Sequence, residues 1–344
     1  MGSIRKGGEI ADTQRKAWRR AVLGVGASLV LALAAIPAKA FTPFPVEQGA
    51  SEHRRISEAA LGCAAGPARS CWSVDALDRL EVAIRRPDIT WITLKEAAHC
   101  DGGDLPGEGA AALAACKAWM FDSLELAVKA ADGLVDATGR PVGDARGCAW
   151  RVLRPRTALC EVDFHLGRAL HAAQDFYSHT NWIDAPVPAS EVSLENPQGL
   201  GGAGPIPWLA SDSSEPPPGL ISGCFVFIPE RFFCHGRTRH ADLNKDHRPS
   251  PKESGTAPPP RNAAGGNFPR AFEAAVGETD RFWKRFEARL VAAYGERRGR
   301  AMSCRLRGLP PSMCGRGQSS GRTGGPRPYP CTPAISARSR RMAS

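Results

Sequence analysis

The stretch His171-Ala-Ala-Gln-Asp-Phe-Tyr-Ser-His-Thr-Asn-Trp182 decides how the rest of the chain is read. It ends a longer run, Thr157 to Trp182, that carries helical periodicity. A helix turns about 100° per residue, so with His171 at zero Asp175 falls near 40° and His179 near 80°. The three side chains share one face on successive turns and span about 12 Å. Imidazole and carboxylate are both zinc ligands at neutral pH. Gly167, one turn earlier, leaves room for another backbone. Phe176, Tyr177 and Trp182 surround the face with aromatic surface, so it is expected to be half buried. Burying two histidines and an aspartate without compensation is costly. A metal site therefore explains the pattern better than an exposed polar face with incidental histidines.

Working outward, residues 41–184 are rich in Ala, Leu and charge. Asp75–Ile84 has the spacing of an amphipathic helix, and Ala110–Leu134 reads as another. Phe268–Tyr294 repeats apolar residues mostly at three and four, as a packing helix does. Between them, residues 185–267 are irregular, with Pro and Gly crowded into 185–220 and 248–266. Ile221–Ile228 is the one β-like run, expected as a hairpin strand closed by Cys224–Cys234. No run alternates long enough for a sheet. The expected class is all-α: a multi-helix bundle with long Pro/Gly-rich loops.

The ends differ from the middle. Arg15, Lys16, Arg19 and Arg20 precede an apolar run, Ala21–Ile36, which is followed by Ala38-Lys39-Ala40. This is the plan of a signal peptide over residues 1–40. The alternative is a membrane anchor, but 16 apolar residues fall short of the ~20 that span a bilayer. Arg19-Arg20 admits twin-arginine export beside ordinary secretion. Either route delivers a secreted or periplasmic protein with no transmembrane span after processing. Residues 296–344, rich in Arg, Gly, Pro and Ser, are expected as a disordered tail, which leaves 41–295 as the metal-binding domain.

The net charge of +10 is concentrated in these ends. Residues 1–40 contribute +5 and residues 296–344 contribute +10, so the middle carries −5. That excludes an electrostatic case for duplex nucleic acid. Eleven cysteines suit an oxidising compartment. Local pairs Cys63–Cys71, Cys100–Cys116, Cys148–Cys160 and Cys224–Cys234 are expected. No C-x-x-C pair exists to make a zinc-thiolate site.

All eight histidines lie between positions 53 and 247. His53 precedes an Ala-Leu helix start, His99 stands beside Asp101 and Asp104, and His240 sits in an acidic loop. Each alone reads as a surface or capping residue; with a three-ligand helix they become candidates. His165 is a candidate for the surroundings of the site, and His235 and His247 are expected at the surface. Asp242-Leu-Asn-Lys-Asp246 has the spacing of a calcium loop with Glu253 at position twelve. His247 stands where that loop needs glycine, which argues against it.

The run HLGRALHAAQDFYSHTNW at 165–182, with RHADLNKD at 239–246, resembles bacterial and fungal proteins related to the heterokaryon-incompatibility C product. Their pattern is roughly G-x-x-L-H-x-x-Q-D-F-Y-S-H-S-N-W, then H-x-x-L-N-K-D. The two matches cover a small part of the chain. Those proteins in turn resemble zinc-dependent phospholipases C and single-strand-specific zinc nucleases, which are all-α and carry a three-zinc cluster. The resemblance implies up to three zinc ions. It implies as ligands Phe41, through a mature N-terminus, and then His53, Asp88, His99, His171 and Asp175. Asp88 is implied as ligand or general base. His179 stands four residues after Asp175 where the enzymes place a histidine at six, and Asn181 holds that position. Asn244 stands one turn after His240 where the enzymes have an acid, with Asp246 close by. The implied activity is a zinc-dependent hydrolase of phosphodiester bonds, phospholipase C-like, acting on a phosphodiester or phospholipid. The alternatives are a non-catalytic surface or interaction protein with a structural metal site, and a single-strand nuclease.

Overall fold

A computed structural model describes residues 51–62, 71–143, 148, 157–186, 191–225 and 230–309. The expected signal peptide, Phe41 and residues 310–344 lie outside the described residues. Among the described residues eleven α-helices follow in order: α1 Glu52–Leu61, α2 Val74–Ile84, α3 Arg86–Ile89, α4 Glu96–His99, α5 Gly109–Ala130 and α6 Ala158–His179; then α7 Pro207–Ala210, α8 Glu230–Phe233, α9 His240–Leu243, α10 Pro251–Ser254 and α11 Asn267–Leu306. The all-α expectation holds, and no strand occurs among the described residues.

Helix α6 is the axis of the bundle. Thr157 caps its start, its hydroxyl accepting from the Cys160 N–H, which satisfies one of the free donors of a first turn. From Ala169 to His179 every residue is buried. A helix buried on all sides must be surrounded, and α2, α5 and α11 pack against it. Gly167 allows the closest of these approaches: a Cβ there would stand 2.6 Å from the carbonyl carbon of Ala83 in α2. Phe282, Trp283, Phe286 and Leu290 of α11 complete the core. The aromatic contacts are directional, as between Trp72 and Trp283, which meet edge-on with centroids 4.8 Å apart.

Two expectations are corrected. The tail does not begin at 296. Gly295 adopts a left-handed conformation (φ 77°) that breaks α11, and the chain resumes as helix to Leu306. Gly299 then packs so closely on Leu290 and Val291 that a Cβ would lie 2.7 Å from the Val291 nitrogen. Met302, Cys304 and Leu306 enter the core. Ile221–Phe225 is not a hairpin strand. Its backbone instead makes single bridges, Ser222 with Thr180 and Cys224 with Arg239. Gly223 presses on the His240 nitrogen, where a Cβ would stand at 2.4 Å. The segment thus ties α9 to the end of α6.

Disulfides join Cys100–Cys116, Cys148–Cys160 and Cys224–Cys234. Cys71 and Cys304 are disulfide-bonded as well, while Cys63 lies outside the described residues. No helix among the described residues is long and apolar enough to cross a membrane.

Candidate metal centre

Among the described residues, three buried groups of His and Asp that could hold a metal ion lie along α6: His53 with His171 and Asp175; Asp88 with His99 and His171; and Asp101 with His179 and His240. The first two groups share His171 and form one cluster. The third begins one turn further along α6.

The first cluster gathers four helices around one carboxylate. Asp175 Oδ2 lies 2.9 Å from His171 Nε2 and 3.0 Å from His99 Nδ1. Those two nitrogens are themselves 3.0 Å apart. Asp175 Oδ1 lies 3.5 Å from His53 Nε2. Asp88, at the end of the short α3, closes the cluster from the other side, 3.8 Å from His53 and His171 and 3.9 Å from His99.

Burial pushes the His53 imidazole down to about 4, and the neighbouring His171 ring adds to the effect. Burial also lowers His171, against the pull of Asp175. Burial would raise Asp175, but the surrounding imidazoles of His171, His99 and His179 hold it well below the usual carboxylate range. Neutral His53 and His171 beside an ionised Asp175 are in the states in which these side chains ligate a metal.

The second cluster is assembled from a loop and a turn. His240 Nδ1 lies 3.0 Å from Asp101 Oδ1, and His179 Nε2 lies 3.3 Å from Asp246 Oδ1. The rings of His179 and His240 meet at 4.0 Å. Ser178 Oγ donates to Asp246 at 2.5 Å. Burial would lower both imidazoles, yet Asp101 and Asp246 reverse it: His179 is raised and His240 lies well above its ordinary value.

One short turn joins the clusters. The His99 side chain belongs to the first, while its carbonyl accepts from His179 Nδ1 at 2.7 Å. Asp101, two residues on, belongs to the second. Cys100 between them has φ 60°, the single left-handed non-glycine among the described residues, and its disulfide to Cys116 fastens the turn to α5. The left-handed residue is what lets His99 and Asp101 serve different clusters.

Of the residues expected from the sequence, His53, Asp88, His99, His171 and Asp175 come together. His179, His240 and Asp246 form the neighbouring cluster with Asp101, which was not among the expected ligands. Asn244 is used otherwise, its Oδ1 accepting from the Asp246 N–H at 2.7 Å and turning that aspartate inward. The calcium-loop residues are dispersed: Asp242 is held by Arg239, and Glu253 by His247 at the surface. His235 is exposed. His165 packs against Phe164 and beside Arg168.

Imidazole and carboxylate donors of this kind suit a divalent transition metal, zinc among them. Bonds of 2.0–2.1 Å in a tetrahedron separate ligand atoms by about 3.3 Å. The three atoms of His99, His171 and Asp175 are 2.9–3.0 Å apart. Asp175 Oδ1, Asp101 Oδ2 and His240 Nε2 are buried with no hydrogen-bond partner among the described residues, an arrangement that costs free energy unless a cation compensates it.

Comparison with protein-family models, curated proteins and solved structures finds no match to this chain. The chemistry of the site therefore rests on its own geometry and on the two sequence motifs that meet in it, the runs at 165–182 and 239–246.

Proposed function

We propose that this chain is an exported zinc-dependent hydrolase of phosphodiester bonds, phospholipase C-like. The observation that carries the reading is the gathering of His53, Asp88, His99 and His171 around the single buried carboxylate of Asp175. These five residues would hold zinc in the first cluster, and Asp101, His179, His240 and Asp246 would hold it in the second. Bound zinc supplies an acidified water and polarises phosphoryl oxygens.

The chain's own contribution is position and proton handling. Asp175 orients His99 and His171 through its Oδ2. Asp88 stands 3.8–3.9 Å from His53, His99 and His171, the place from which a carboxylate would act as ligand or as general base toward a water held in the cluster. The segment that turns Asp88 inward leaves Ile89, Trp91 and Leu94 exposed. Large apolar side chains beside the site suit a substrate with acyl chains better than single-stranded nucleic acid.

The test is hydrolysis of a chromogenic phosphocholine ester and of single-stranded DNA, with and without chelator. Chelator-sensitive ester turnover, lost in His171→Ala together with the zinc of the first cluster, is the expected result. Turnover of DNA alone would instead make the chain a nuclease. A second reading, a structural metal centre in an interaction protein, is favoured by burial: none of the described ligand side chains is more than 6% exposed. A fully zinc-loaded chain with no turnover on either substrate would establish that reading.

A further inference from the structure

Gln174 precedes Asp175 on α6 and is fully buried, as is His53 of α1. Its Oε1 lies 2.7 Å from His53 Nδ1. Its Nε2 donates to Ser57 Oγ at 3.3 Å and to Thr279 Oγ1 at 3.0 Å. Both hydroxyl protons are already committed: Ser57 Oγ donates to the His53 carbonyl and Thr279 Oγ1 to the Ala275 carbonyl, each at 2.8 Å. Each hydroxyl therefore has only lone pairs to offer Gln174. Only the amide NH2 can meet two acceptors, so the amide oxygen must face His53. An oxygen at that position accepts, so His53 Nδ1 must be the protonated nitrogen. The remaining nitrogen, Nε2, faces Asp175 Oδ1 at 3.5 Å and Asp88 Oδ2 at 3.8 Å.

We infer that Gln174 is a positioning residue that fixes the tautomer of His53 and so presents Nε2, rather than Nδ1, to the metal cluster. The inference rests on the metal reading above but adds a residue that touches no metal in it. Three helices cooperate: α1 supplies His53 and Ser57, α6 supplies Gln174, and α11 supplies Thr279 and Ala275. A ligating imidazole needs an acceptor on its far nitrogen to set ring orientation and basicity. A neutral amide does this without adding charge to a cluster that already holds two carboxylates.

The experiment uses the full chain, zinc alone as probe, and the variants Gln174→Leu and Gln174→Glu. Leucine keeps the volume and removes the acceptor; glutamate restores an acceptor. Zinc content after dialysis against buffered zinc is expected to show one class of ion weakened about 10- to 100-fold in Gln174→Leu. The ion at His179 and His240 should be retained, and Gln174→Glu should recover most of the loss. Imidazole 15N shifts should show the His53 proton on Nδ1 in both zinc-loaded and metal-free wild-type chain. A proton on Nε2, an unchanged zinc affinity in Gln174→Leu, or equal loss in both variants would overturn the inference. If wild-type chain binds no zinc, the metal reading fails, and the 15N shifts still decide the tautomer. They also decide it if the variants do not fold.

Discussion

Around Asp175 the histidines His53 and His171 are held below their ordinary proton affinity. One turn further along α6, His179 and His240 are held above it. Both clusters are buried and both use the same two residue types, so neither burial nor chemistry explains the difference. Proportion does. The first cluster packs three imidazoles against two carboxylates, with ring centroids of His53 and His99 at 4.7 and 4.8 Å from His171. The second sets two imidazoles between two carboxylates. Without metal, protons on His179 and His240 offset the carboxylates beside them, while His53 and His171 resist taking up that charge. A metal entering the first cluster would meet neutral His53 and His171, whereas one entering the second would displace protons from His179 and His240.

The largest effect expected is in the first cluster. Asp175→Ala removes the carboxylate shared by His53, His99 and His171, and should abolish zinc binding there while the second cluster keeps its ion. Zinc content by elemental analysis checks this. Loss of both ions would show that the clusters are one cooperative unit. The next effect should strike the second cluster alone. Lys245, fully buried, donates to the carbonyls of Leu243 and Thr180 and pairs with Asp184 Oδ1 at 3.2 Å. It clamps the loop bearing His240 and Asp246 to the end of α6. Breaking a buried pair to leave a bare charge costs about 3–5 kcal/mol, but Asp184 keeps Arg261 at 2.7 Å. Lys245→Met should therefore cost less than that in urea unfolding and lose the second ion only.

The disulfide Cys100–Cys116 tests what the clusters share. Its loop spans 16 residues, for which chain entropy accounts for about 3 kcal/mol of stability. Cys100→Ser with Cys116→Ser should lose about that amount and weaken both ions together, because the turn between His99 and Asp101 is freed. Selective weakening of one ion would show that the turn is not a common spacer.

The sequence made one side of this comparison more legible than the other. His171, Asp175 and His179 were readable because helical spacing alone puts them on one face. Gly167 was readable as a place of close approach for the same reason. Asp101 was not, because its role depends on a left-handed Cys100, and nothing in the residue type announces that conformation. Asp246 was legible only through the resemblance, because Asn244 stands one turn after His240 where the enzymes have an acid. Asn244 spends its side chain on the backbone N–H of Asp246, and the carboxylate that reaches His179 stands two residues later. Residues 296–306 read as tail because Gly295 opens an arginine-rich stretch. Their three buried apolar side chains, Met302, Cys304 and Leu306, are too few to show against that charge until the chain folds back on Leu290.

Acid should sharpen the contrast in the metal-free chain. His53 binds its proton at about 4 when folded and near 6.5 when unfolded. Between those values the unfolded chain holds the extra proton, so stability falls as pH falls from 6.5 to about 4, by no more than about 3 kcal/mol. His240 has the opposite sign. Its folded affinity is raised, so its contribution is fully present below 6.5 and is lost as pH rises through the folded value. Asp163, raised by burial to about 6 against the opposing charge of Arg79, also changes stability in the acid window, with a sign opposite to that of His53. The comparison is therefore made between wild type and His53→Asn, in chelator, by urea unfolding at pH 7 and pH 5. Wild type should lose more stability on acidification than the variant does. Equal losses would mean that the first cluster takes up protons as readily as the second, and the contrast between them would disappear.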